Sequence, residues 1–126
     1  MGDRLLSASE TGYDRWEASD GDSHGALNML SKNIIICDWH YNKYESYKSV
    51  NLFSKAGFEI MVSPWREKEN LEAFLNYAIK HDTGHIKGVL MTTWCASGDL
   101  AKHLLYGKKG RWLHTEQIAN TINEVF

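Results

Sequence analysis

Three short, almost wholly apolar runs alternate with segments of helical periodicity, and this alternation limits the possible folds more than any other feature of the chain. The runs are IIICD (Ile34–Asp38), FEIMVS (Phe58–Ser63) and IKGVLMTTW (Ile86–Trp94). None shows the strict apolar-polar alternation of a strand with one wet face. Such strands need cover on both sides, as parallel strands in α/β proteins have. Between the first two, YESYKSVNLFSKAG places Tyr47, Val50, Phe53 and Ser54 at helical spacing ahead of Gly57. Between the second and third, EKENLEAFLNYAIKHDTG puts Leu71, Phe74, Leu75, Ala78 and Ile79 on one stripe, with an acidic first turn, Lys80 and His81 at the far end, and Gly84 as the stop. SGDLAKHLLYG and TEQIANTINEVF close the chain as helices, the second with Ile118, Ile122 and Val125 as its apolar stripe. Strand and helix in repeated succession predict an α/β fold with a parallel sheet and right-handed crossovers.

The opening residues are less regular. GDRLL reads as the end of a further strand, and residues 7–32 read as a long irregular loop region rich in Ser, Gly, Asp and Glu, with ALNML as one turn of helix. A loop of this length inside a compact domain is usually functional or flexible. Counting GDRLL, the expectation is about four strands in a single domain spanning 1–126. A small sheet of this kind has two open edges, so either a homodimer that covers them or a missing part of the domain is expected.

With 43% apolar residues the chain has enough material for a core, and disorder is not expected. A net charge of −2 with scattered Lys and Arg gives no basic stripe, which argues against nucleic acid. No apolar run reaches the roughly 20 residues that span a bilayer, and MGDRLL carries charge where a signal peptide needs an apolar core, so a chain without membrane or export segment is expected. Cys37 and Cys95 belong to no CxxC pair and read as two small buried residues.

The strand ends carry the chemistry. Asp38-Trp39-His40-Tyr41, Ser63-Pro64-Trp65-Arg66 and Thr92-Thr93-Trp94-Cys95 follow three successive strands. In a parallel sheet these ends share one rim, so indoles, a phenol, a carboxylate, an imidazole and a guanidinium converge. A sugar suits that set: its CH faces stack on Trp or Tyr, and its hydroxyls bond to Asp, His and Arg. Asp38 and His40 share one side of an extended strand, however, and Trp39 and Tyr41 the other, so only one pair points into a site if the strand continues. His40, His81, His85, His103 and His114 show no metal-ligand spacing. Cys95, ahead of a helix N-terminus, is an alternative candidate as a nucleophile. A glycine-rich nucleotide loop is absent from the sequence.

GDRLL, GYDRWEAS, IIICDWHY, FEIMVSPWR and GVLMTTWC, in this order, resemble the C-terminal half of the catalytic barrel of glycoside hydrolase family 20 and its bacterial β-N-acetylhexosaminidase-like relatives. The resemblance runs from Gly2 to about Trp94. It implies half of a (β/α)8 barrel, with GDRLL ending the fifth strand and the three apolar runs as the sixth to eighth. It also implies an active site at the C-terminal strand ends. Family members remove terminal N-acetylhexosamine with retention, using the substrate's acetamido oxygen as nucleophile and an adjacent Asp-Glu pair. No Asp-Glu dipeptide occurs in this sequence, and Cys95 and Ala96 stand where a Glu often follows the last strand's Trp. By position, the resemblance makes Trp94 a wall of the sugar pocket and extends that role to Trp39 and Trp65. Asp3, Asp38, His40 and Tyr41 fall where the family places polar sugar-binding groups, and Arg66 joins them at the rim. The expectation is therefore an N-acetylhexosamine-type glycan as partner, no catalytic residue of its own, and no cofactor or metal. The competing expectation is a stand-alone α/β module that binds a carbohydrate or another partner without chemistry.

Overall fold

A computed structural model describes residues 2–81, 84–108 and 110–126. The chain begins with a 3-10 turn, Asp3–Leu5, followed by the short helix α1 (Ala8–Thr11) and a 3-10 segment, Asp22–Met29. The repeating part then runs β1 (Ile35–Asp38), α2 (Lys48–Lys55), β2 (Glu59–Val62), α3 (Lys68–Lys80), β3 (Ile86–Val89), α4 (Ser97–Tyr106) and α5 (Leu113–Val125). The strands form a parallel sheet in the order β1-β2-β3. The fold is thus mixed α/β with helices flanking a parallel sheet.

Three differences from the sequence expectation have physical causes. The sheet has three strands among the described residues, not four, because GDRLL turns instead of extending: Leu5 and Leu6 donate backbone bonds to Gly2 and Asp3. The third strand stops at Val89, ahead of Trp94, and beyond it only the Leu90 N–H, to Val62, and the Thr92 N–H, to Pro64, continue toward β2 among the described backbone bonds. Residues 7–32 are not wholly irregular. Ser7 and Ser19 form an isolated parallel bridge that closes the segment containing α1, and ALNML lies largely within the 3-10 segment.

Burial alternates along the strands. Ile36 and Asp38 on β1, and Ile60 and Val62 on β2, are buried, whereas Cys37 and Met61 are only half-buried and Ile35 is 50% exposed. The buried side receives the helices: Val50 and Phe53 of α2 and Phe74 and Ala78 of α3, with Phe58 and Tyr47, seal two adjoining clusters. Each fully buried side chain of this size contributes roughly 1.5–3 kcal/mol from desolvation. The four residues predicted to line α2's inner side, Tyr47, Val50, Phe53 and Ser54, are all buried. On α3, Leu71, Phe74 and Ala78 are buried but Ile79 is exposed, because the stripe is narrower than its sequence pattern. Gly57 ends α2 with φ +83, a conformation that strains any residue with a Cβ.

The N-terminal segment packs Leu6, Tyr13 and Ala18 against Ile36 and Ile60, and one backbone hydrogen bond ties it to the sheet among the described residues. Gly2 donates its N–H to the carbonyl of Cys37 at 3.0 Å, a single rung on the outer edge of β1. A Cβ on Gly2 would stand 2.7 Å from Cγ2 of Ile36, so the approach requires glycine. Helices α4 and α5 make a third cluster through Leu100, Ile118 and Ala119, with Trp65, Met91, Cys95 and Ile122 packed against it.

Candidate functional site

The end of β1 divides its four polar and aromatic residues between two sides. Asp38 and His40 point into the core and are fully buried, while Trp39 and Tyr41 are half-buried on the opposite side. The period of two along an extended chain produces this split.

On the buried side, His40 lies between two carboxylates. Its Nδ1 donates to Glu17 Oε2 at 2.8 Å, and its Nε2 donates to Ser49 Oγ at 2.8 Å. Asp38 Oδ1 is 3.2 Å from the same Nε2, so its carboxylate faces the ring alongside the serine oxygen. Burial pulls the imidazole down, but Asp38 and Glu17 outweigh it and hold His40 up at about 9. The ring is therefore an imidazolium at neutral pH. Glu17 also accepts the backbone N–H groups of Tyr41 and Asn42, at 2.6 and 3.0 Å, which ties the loop of residues 7–32 to the strand end. The Tyr13 ring lies 4.2 Å from that of His40, tilted by 46°, and its phenol, pushed up to about 12 by burial, stays neutral.

Carboxylate, imidazole and hydroxyl in the order Glu17, His40, Ser49 reproduce the sequence of contacts of a nucleophilic triad. Burial of the serine and the charge on the imidazole both argue against that role. Ser49 is fully buried, so no substrate reaches it. The charged imidazole also has no free nitrogen with which to take the serine proton. The cluster is a clamp beneath the rim.

On the open side the aromatic residues form one continuous surface. The rings of Trp39 and Tyr41 are 4.7 Å apart, and those of Tyr41 and Trp65 5.1 Å. Trp94 joins them by donating its Nε1–H to the Tyr41 hydroxyl. Asp3 holds the other end of the row, accepting from Trp39 Nε1 at 2.8 Å and from Arg4 Nε at 2.5 Å. Arg66 lies over Trp65 at 3.9 Å, and donates to Glu67 and to Nδ1 of His114. Thr92 bonds the Pro64 carbonyl through both its N–H and its hydroxyl, so the segment after β3 is aligned with the end of β2.

Trp94 has φ +28 and is the one non-glycine with positive φ among the described residues. For a bulky side chain this costs about 1–3 kcal/mol, and such strain persists where surrounding contacts impose it. Its indole is nonetheless 66% exposed. The strained backbone presents an aromatic face to solvent instead of packing it.

The structure thus brings Asp3, Trp39, Tyr41, Trp65, Arg66 and Trp94 to one rim, and places Asp38 and His40 behind it, sealed from solvent. Sequence reasoning did not single out Glu17, although GYDRWEAS contains it. It also passed over Ser49, Trp112 and, as a rim residue, His114. Cys37 and Cys95 are free and half-buried rather than fully buried. Among the described residues no group of three or more His, Cys, Asp or Glu is arranged to hold a metal ion, and no helix is long and apolar enough to cross a membrane. No family model matches the chain, and no curated protein matches it.

Proposed function

We propose that this chain is the C-terminal part of a glycoside hydrolase barrel of the β-N-acetylhexosaminidase-like kind. It contributes a sugar-binding rim and does not cleave glycosides alone. The observation that carries this reading is the row Trp39, Tyr41, Trp65 and Trp94 at the C-terminal ends of three adjacent parallel strands. Ligands of (β/α)8 barrels bind at that end. Indole and phenol rings suit the CH faces of pyranose rings, and Asp3, Arg66 and the Tyr41 hydroxyl supply polar groups on the same rim.

Two further features support a partial barrel. The rung from Gly2 to Cys37 lies where an additional parallel strand would meet β1. The sheet side bearing Ile35, Cys37 and Met61 is incompletely covered, contrary to the usual burial of both faces of a parallel sheet. In the isolated chain a second copy, related by a twofold axis, covers this side and the free edges.

A binding module without chemistry is the second reading, favoured by a cavity beside Trp94 that no carboxylate lines among the described residues. Incubation with a chromogenic N-acetylglucosaminide tests both. Saccharide binding without turnover is expected. Turnover abolished by Asp38→Ala would instead require an acid outside the family pattern.

A further inference from the structure

Beside the aromatic row is a cavity of about 220 Å³ lined by Trp94, Cys95, Ala96, Trp112 and His114. Trp112 comes from the turn between α4 and α5, and the turn is fixed at several points. Arg111 N–H reaches Asp99 of α4 at 3.4 Å, Thr115 N–H closes on the Trp112 carbonyl at 2.9 Å, and His114 receives Arg66. The Trp112 indole is 63% exposed, nearly as much as Trp94. Two indoles held out in solvent on fixed backbone, lining one cavity, leave apolar area that only a ligand or partner would cover.

The lining also restricts what fits. The volume is below the roughly 300–1,000 Å³ of pockets that enclose a whole drug-sized molecule, so it accommodates one ring. Among the described residues no carboxylate lines it, which disfavours a cation, and no arginine or lysine lines it, which disfavours an anion. An uncharged ring with apolar faces remains.

We infer that Trp94 and Trp112 form a slot for a single pyranose ring next to the Trp39–Tyr41–Trp65 row, so that the site takes at least a disaccharide. This rests on the sugar-binding reading of the rim and extends it to the α4–α5 turn. Cys95 supplies a reporter within the slot. The full chain is titrated calorimetrically with N,N′-diacetylchitobiose, and alkylation of Cys95 by iodoacetamide is followed by peptide mass with and without the sugar. The disaccharide should slow Cys95 alkylation. Trp112→Ala should remove that protection and weaken binding about 5- to 10-fold, while Trp112→Phe stays within about twofold of wild type. Disaccharide binding with Cys95 unprotected and Trp112→Ala unchanged overturns the slot and leaves the rim reading intact. Protection by free indole but not by the sugar overturns it in favour of a flat aromatic ligand. If the disaccharide does not bind at all, the rim reading falls and the slot with it.

Discussion

Glu17 and His40, 23 residues apart in the chain, meet at 2.8 Å with both side chains all but sealed from water. This pair joins the loop of residues 7–32 to the end of β1, and through the Tyr41 and Asn42 amides it sets where the aromatic row begins. Without Glu17 the His40 Nδ1–H and the Tyr41 and Asn42 amides lose their acceptor, although Asp38 still balances the charge of the ring. Glu17→Ala should therefore destabilise the fold by about 2–4 kcal/mol in urea denaturation. Glu17→Gln should cost less, since its amide oxygen still accepts from the two backbone amides. Equal stability of all three proteins would show that the clamp is not structural.

The same cluster predicts a pH dependence. The imidazolium form of His40 is favoured in the fold up to about 9, against an ordinary value of 6.5. A basic group raised on folding stabilises fully below its unfolded pKa and loses that contribution as pH rises through the folded one. Stability should fall between pH 6.5 and about 9, by no more than about 1.4 kcal/mol per pH unit for the one proton. Tyr13, raised from 10.0 to about 12, holds its proton in the fold where the unfolded chain gives it up, so the decline should continue above pH 10. Urea midpoints measured across this range check both; a flat profile from pH 6.5 to 9 would contradict the charged His40.

Trp94 separates stability from binding. Its indole is largely exposed and its backbone strained, so Trp94→Gly removes little packing and releases the positive-φ penalty. The variant should unfold at a urea concentration no lower than wild type, yet lose most saccharide affinity. A marked loss of stability would mean that the indole packs into the fold rather than serving the rim.

How much of this was legible in the chain follows from the range of the forces involved. The order β1-α2-β2-α3-β3 was readable because apolar period and glycine stops are local signals, as at Val50, Phe53 and Gly57. The division of Asp38 and His40 from Trp39 and Tyr41 was readable from strand geometry, but not which pair would face solvent. That depends on α2 and α3 packing on one side only. Glu17 was hidden because its role comes from a partner distant in sequence, and a glutamate in a polar loop normally reads as solvated. GDRLL misled because Leu5 and Leu6 suggest a strand, whereas Gly2 and Asp3 accept turn bonds. Trp112 was passed over because only the approach of the α4–α5 turn to the third strand end places it beside Trp94.

The incompletely covered sheet side predicts self-association. Light scattering on the isolated chain at tens of micromolar should return twice the monomer mass, and Ile35→Lys, on the half-open side, should reduce it to the monomer. A wild-type monomer under these conditions would contradict the dimer.

The central claim is that the aromatic row binds sugar. Calorimetric titration of the full chain with N,N′-diacetylchitobiose tests it most directly. Saturable binding with a Kd on the order of 1 mM or tighter is predicted, lost on Trp94→Ala. The absence of saturable binding by the wild-type protein, or binding that Trp94→Ala leaves unchanged, would contradict it.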